Sequence, residues 1–273
     1  MIAGQRRRSL IVPREHGAWG ILLVPLVTGA AVGLRSGGDF APFPPLAIAA
    51  LALFWLRTPV ESWAGMAAIR ARTGPEFRLV RTVALALAAL SLLCLVWLFW
   101  GGRNGALIGI GAGAGLAFAA QAVMKRMSRV LRSAAQMVGA IGLTAVAPAA
   151  YAVTTGALDR TAGALWAANL LFALNQIQYV HLRIRAAQAK TAAMKFTLGR
   201  HFLAGQFLLI VALAAAAAAH LFPYLAAIAF IPMLARGFAW FVAKPTALVI
   251  HRLGKNELMH AVAFCVLLVL LWR

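Results

Sequence analysis

The stretch Ala173-Leu-Asn-Gln-Ile-Gln-Tyr-Val-His-Leu-Arg-Ile-Arg185 carries amides, a phenol, an imidazole and two guanidinium groups at the end of an otherwise apolar run. On a helix of about 3.6 residues per turn, Asn175, Gln178, Tyr179 and Leu182 share one side, with Arg183 and Arg185 at its edges. Along this face amides give way to a phenol and then to guanidinium groups as the helix approaches the cytosol. Tyr179 and His181, together with His16 further up the chain, are groups able to carry a proton. Interhelical hydrogen bonding by the amides and membrane anchoring by the arginines is the plainer account of the same residues.

Other costly polar groups fall at a similar depth. Arg57-Thr-Pro-Val-Glu61 places a cation and a carboxylate one helical turn apart, close enough to pair, with Pro59 between them favouring a bend. Gln121, Gln136 and Arg236 interrupt other apolar runs, and ionisable groups inside a membrane usually face a bundle interior or a wet cavity. Their convergence predicts a cytosol-facing cavity between spans two and six. Its expected ligand contacts are Arg57, Glu61, Asn175, Gln178, Arg183, Arg185 and Arg236, with His16, Tyr179 and His181 as catalytic candidates. No metal site is expected. The histidines lack the i, i+4 spacing of a helical metal motif, and the six carboxylates are dispersed, so nothing supports a paired-aspartate magnesium site.

The elements that must position these groups are membrane helices. The 273 residues are 63% hydrophobic and 12% charged, with a mean hydropathy of +0.85. Crossing the hydrocarbon takes ~20 largely apolar residues, and helices satisfy their own backbone groups there. Nine such spans are read, at roughly 17–34, 45–68, 79–100, 105–123, 134–153, 162–181, 201–220, 222–242 and 256–272. The expected fold is therefore an all-α polytopic bundle forming a single transmembrane domain over 1–273, preceded by a basic N-terminal segment at 1–16.

A net charge of +20 would suit a nucleic-acid partner, but its distribution excludes that reading. Arg6, Arg7, Arg8 and Arg14 precede span one, and Arg70, Arg72 and Arg78 follow span two. Lys125, Arg126, Arg129 and Arg132 follow span four; Arg183, Arg185, Lys190, Lys195 and Arg200 surround the connection after span six. Lys244, Arg252 and Lys255 follow span eight, whereas the alternate connections hold only Arg35, Arg103 and Arg160. This bias puts the N-terminus in the cytosol and the C-terminus outside, with membrane lipids as the partners of the basic loops. Glu15 and His16 against the first apolar run argue for an uncleaved span rather than a signal peptide. The glycines from Gly105 to Gly115 lie inside span four, so close helix packing through small residues is expected there, not phosphate binding. Cys94 and Cys265 imply no disulfide framework.

The motif Val12-Pro-Arg-Glu-His-Gly-Ala-Trp-Gly20, followed by Ile-Leu-Leu-Val-Pro25, resembles the YwiC-like family of bacterial membrane proteins, as does Tyr179-Val-His-Leu-Arg-Ile-Arg185. More distantly, nine spans with polar motifs at the cytosolic ends of spans two and six resemble the UbiA-type intramembrane prenyltransferases. Asn175-Gln-Ile-Gln-Tyr179 reads like their Asn-Asp-x-x-Asp pattern with both acids replaced, and on a different helix. The resemblance implies a UbiA-like arrangement and a cavity for an isoprenoid or quinone-type lipid or its phosphorylated precursor. It does not carry over the magnesium sites, because glutamine and tyrosine cannot replace anionic oxygen ligands. A prenyltransferase-like activity is one implication. A transporter or lipid-handling protein using the same cavity, and a non-catalytic partner or assembly factor of a respiratory complex, are the alternatives. The location implied is the bacterial cytoplasmic membrane.

Overall fold

Backbone groups without water must find partners within the chain, and the described residues accordingly form helices and no strands. The computed structural model describes residues 3–13, 16–66, 69–102, 104–127, 131–244 and 248–273, and only the backbone of residues 3, 4, 16, 104 and 132. Arg14, Glu15, Arg103 and Arg129 lie outside the described residues, as do the side chains of His16 and Arg132.

The chain runs through α1 (Ala3–Ile11), α2 (His16–Arg35), α3 (Phe43–Trp63), α4 (Gly74–Trp100) and α5 (Asn104–Met127). It continues as α6 (Arg132–Thr144), α7 (Val146–Thr155), α8 (Arg160–Arg185) and α9 (Ala192–Ala218). A 3-10 segment over Tyr224–Phe230 leads into α10 (Ile231–Val242), and α11 (Ile250–Leu271) ends the bundle. Among the described residues, 8 helices are long and apolar enough to cross a membrane. The remaining expected span is α8, whose 26 residues suffice in length but whose amides and arginines make it too polar to count on composition.

Two expected spans are interrupted, each by a proline. Pro148 has no N–H to return to Thr144, and the helix breaks at Ala145 between α6 and α7. The Thr144 hydroxyl, donating to the Ala140 carbonyl at 2.8 Å, marks the same bend. Pro232 likewise cannot bond Ile228, and the turns before it tighten into the 3-10 segment. Three helices start earlier than hydropathy alone indicates, and two of them have polar caps. The Thr73 hydroxyl accepts from the Glu76 N–H at the start of α4, and the Thr191 hydroxyl from Met194 at the start of α9. The third, α11, begins at Ile250 without a side-chain cap.

The core is built around α2 and α7. Every residue from Val146 to Thr154 is buried, as expected of a helix enclosed on all sides. The close approach uses Gly29 and Gly33. A Cβ on Gly29 would stand 2.1 Å from the Ala147 carbonyl oxygen, and one on Gly33 would stand 2.0 Å from Thr154 Oγ1. Expected small-residue packing through α5 is therefore corrected: Gly105, Gly109, Gly111, Gly113 and Gly115 have no neighbour within 4 Å of such a Cβ. One apolar cluster joins α2 to α3–α7, with Leu26, Phe54, Leu98 and Leu143 among its members. A second joins α2 and α7 to α8, α9, α10 and α11 through Tyr151, Phe172, Phe230 and Phe264.

The basic N-terminal segment is folded onto the bundle. Leu10 of α1 is buried with Ala71 and Val80. Arg6 Nε donates to Glu76 at 2.6 Å, and Trp55 Nε1 donates to the Ile11 carbonyl at 2.5 Å. That carboxylate hydrogen bond raises the Arg6 pKa above the ordinary guanidinium value.

Candidate functional site

The polar face of α8 is held by ordinary helix chemistry at both ends. Asp159 caps its N-terminus, accepting from Ala162 N–H at 3.1 Å, and Arg183 and Arg185 complement the carbonyl dipoles of its last turn. Midway, Asn169 Nδ2 donates to Thr28 Oγ1 at 3.0 Å, fixing α8 against α2. With that rotation set, Asn175, Tyr179 and Leu182 are buried as the periodicity predicts.

A cavity of about 270 Å³ opens where the end of α8, the start of α9 and the end of α10 meet. Tyr179, Arg183, Lys195, Arg236, Trp240 and Lys244 supply its polar and aromatic lining, and alanines fill most of the remainder. Arg183 Nη1 donates to the Tyr179 hydroxyl at 3.3 Å, while the Arg236 guanidinium stacks 4.0 Å from the centre of the Tyr179 ring. Arg236 is also bonded to Glu257 of α11 through Nη1 and to Asn175 Oδ1 at 3.4 Å through Nη2. Gln176 Nε2 donates to the Glu257 backbone carbonyl at 3.0 Å, tying α8 to α11 at the same level. Both members of the Arg236–Glu257 pair are nearly enclosed, with side-chain exposures of 9% and 8%. A charge buried this far needs a partner, which explains why the two occur together.

Lys195 has a structural task within the lining. Its ammonium donates to the Trp240 carbonyl and, at 2.7 Å, to the Ala243 carbonyl, closing the C-terminus of α10. It also lies 4.7 Å from the centre of the Trp240 ring.

The sequence-selected residues divide into groups. Tyr179, Arg183 and Arg236 line the cavity, and Asn175 reaches it through Arg236. Gln178 sits against α9, its Oε1 3.7 Å from where a Cβ on Gly205 would stand. His181 faces α6, with Nδ1 3.1 Å from Ser133 Oγ, and Arg185 is exposed. Arg57 and Glu61 pair at 2.9 Å on α3, with Lys125 3.8 Å from the same carboxylate, and neither lines the cavity. Gln121 fills the space beside Gly139, and Gln136 is exposed. Arg57 and Glu61 of span two thus stand apart from the cavity that Tyr179 and Arg183 of span six line.

Sequence reasoning passed over Lys195, Trp240, Lys244 and Glu257 as site residues. Lys195, Lys244 and Trp240 have the compositions of a basic loop and an interfacial belt, so nothing local distinguishes them. Glu257 carried a usable signal, because a carboxylate at a span entrance requires a cation. Gln206 is wholly buried beside Gly237, and neither atom of its amide has a hydrogen-bond partner among the described residues.

The fold and cavity define a polytopic helical membrane protein with a cationic recess at its basic end. The profile of the family described as YwiC-like protein matches residues 12–151, just over half of the chain, and the chain belongs to that family. The match runs from the segment before α2 through most of α7, so every cavity-lining residue lies beyond it. No curated protein and no solved structure matches the chain.

Proposed function

We propose that this chain binds an amphiphilic lipid with its headgroup in the cavity at the end of α8, in a UbiA-like manner. An isoprenoid or quinone-type lipid, or its phosphorylated precursor, is the ligand class. The single observation carrying this reading is the composition of the lining: cations and aromatic rings at the mouth of a membrane bundle, with no carboxylate among the described lining residues. In this reading the basic end faces the bacterial cytosol, following the distribution of Lys and Arg. The proposal concerns binding first. Prenyl transfer is the chemistry that the resemblance implies, and it is assayed in the same preparation with aromatic acceptors.

The test is a titration of purified protein in neutral detergent with long-chain prenols, quinones and prenyl phosphates, read by tryptophan emission. A saturable change is expected, reduced in Trp240→Phe and weakened in Arg236→Gln. Absence of saturable binding for every lipid would sink the proposal. A transporter reading has one observation in its favour, the two interrupted spans at Ala145 and before Ile231, since broken helices accompany substrate sites in transporters. Substrate-dependent flux in proteoliposomes, without chemical turnover, is its signature.

A further inference from the structure

We infer that the cavity is a metal-independent site for a terminal phosphoryl group, carried by a phosphomonoester or diphosphate rather than by a singly charged or neutral headgroup. The inference rests on the cavity being the ligand site, and deepens that reading by naming what the headgroup must carry.

The charge balance of the lining supports it. Four cations, Arg183, Lys195, Arg236 and Lys244, face a common space. The carboxylate of Glu257, on Arg236, offsets one of them, and no other carboxylate pairs with these four among the described residues. Two helix C-termini also meet here, those of α8 at Ala186 and α10 at Ala243, and each places about half a negative charge at its end. Lys195, bonded to the carbonyls of Trp240 and Ala243, is spent largely on the second of these. The N-terminus of α9 at Ala192 restores about half a positive charge, so what remains is between about two and three positive charges by the dipole convention. A phosphomonoester, at about −1.5 to −2, or a diphosphate comes closer to that surplus than a singly charged carboxylate or phosphodiester.

Geometry points the same way. Arg183 and Arg236 bracket Tyr179 from two sides; Arg183 and the phenol line the space a tetrahedral anion would enter, and Arg236, 9% exposed and bonded through both Nη atoms, adds its charge from the wall. Arg236 is fixed by Glu257, Asn175 and the ring beneath it, which removes most of the cost of ordering a flexible side chain on binding. Its Nε–H is buried and has no hydrogen-bond partner among the described residues. Among the described residues the lining holds no aspartate or glutamate to supply a divalent cation with an anionic oxygen ligand.

The experiment uses the full chain in neutral detergent with EDTA, and three probes: inorganic pyrophosphate, phosphatidic acid in micelles, and a neutral long-chain quinone. Binding is read by thermal shift and by tryptophan emission. Saturable binding of pyrophosphate or phosphatidic acid in EDTA is expected, weakened about tenfold in Arg183→Ala and in Lys244→Ala. Arg183→Lys should recover part of the loss, and Arg78→Ala, an exposed cation on α4, should leave binding unchanged. Pyrophosphate binding without phosphatidic acid binding identifies a free phosphate as the ligand; this upholds the phosphoryl site and overturns the lipid reading. Quinone binding with no response to either phosphate overturns the phosphoryl site and leaves the lipid reading standing. Phosphate binding that EDTA abolishes overturns metal independence. No response to any probe overturns both readings.

Discussion

Of the three Arg–Glu pairs among the described residues, the two beyond Arg6–Glu76 show what single residues can reveal. Arg57 and Glu61 are separated by one helical turn, so their 2.9 Å contact follows from spacing alone. Arg236 and Glu257 belong to different helices, and no periodicity could join them before the helices were packed. The legible pair lies away from the cavity, whereas the illegible pair fixes an arginine in its wall. Gln206 poses a sharper question at this scale. Burying an amide with neither atom bonded costs about 1–3 kcal/mol for each missing partner. If the amide exists only as filler beside Gly237, Gln206→Leu should raise the unfolding temperature in detergent, reflecting a gain of about 1–3 kcal/mol. A lower unfolding temperature would show that the amide is bonded in the folded protein and overturn its role as filler.

Helices are the scale at which the sequence was most legible, because length and hydropathy are local properties. Caps such as Asp159 and breakers such as Pro148 and Pro232 set boundaries and interruptions that apolar counting smooths over. Helix faces were less legible. Glycines four apart occur in both α2 and α5, yet only those of α2 meet a neighbouring helix, since spacing records which helices could approach and not which do. The contrast is testable. Gly29→Leu forces α2 away from the Ala147 carbonyl and should sharply reduce the yield of folded protein, at a cost of several kcal/mol against an ordinary overpacking penalty of about 1–3 kcal/mol. Gly109→Leu meets open space and should leave yield and monodispersity unchanged on size exclusion. Equal loss in both variants would mean that the α5 face is also packed, against a partner chain.

At the scale of the whole molecule, α8 decides the topology. It is the most polar of the long helices, yet it links the two ends of the bundle, because its cap Asp159 is bonded to Tyr151 at one end and Arg183 lines the cavity at the other. A helix of 26 residues is about 39 Å long, enough to cross the hydrocarbon with a turn to spare. Its amides are tolerable because they face α2, α9 and α11 rather than lipid. With α8 crossing alongside the 8 apolar helices the number of crossings is odd, and the expectation that the termini lie on opposite sides follows. Contacts within the bundle agree with this. α1 rests on α3 and α4 near the start of α2, whereas Arg35 at the far end of α2 bonds the backbone carbonyls of Val269 and Leu270. In a variant lacking Cys94 and Cys265, single cysteines introduced as Gln5→Cys and Arg273→Cys separate the possibilities. A membrane-impermeant maleimide should label the second in intact cells and the first only after permeabilisation. Labelling of both on the same side would require α8 to stop short of crossing, and the cavity at its end would then sit inside the bilayer rather than at the basic face. That outcome would remove the route by which a water-soluble phosphate could reach Arg183 and Arg236, leaving only a lipid-borne one.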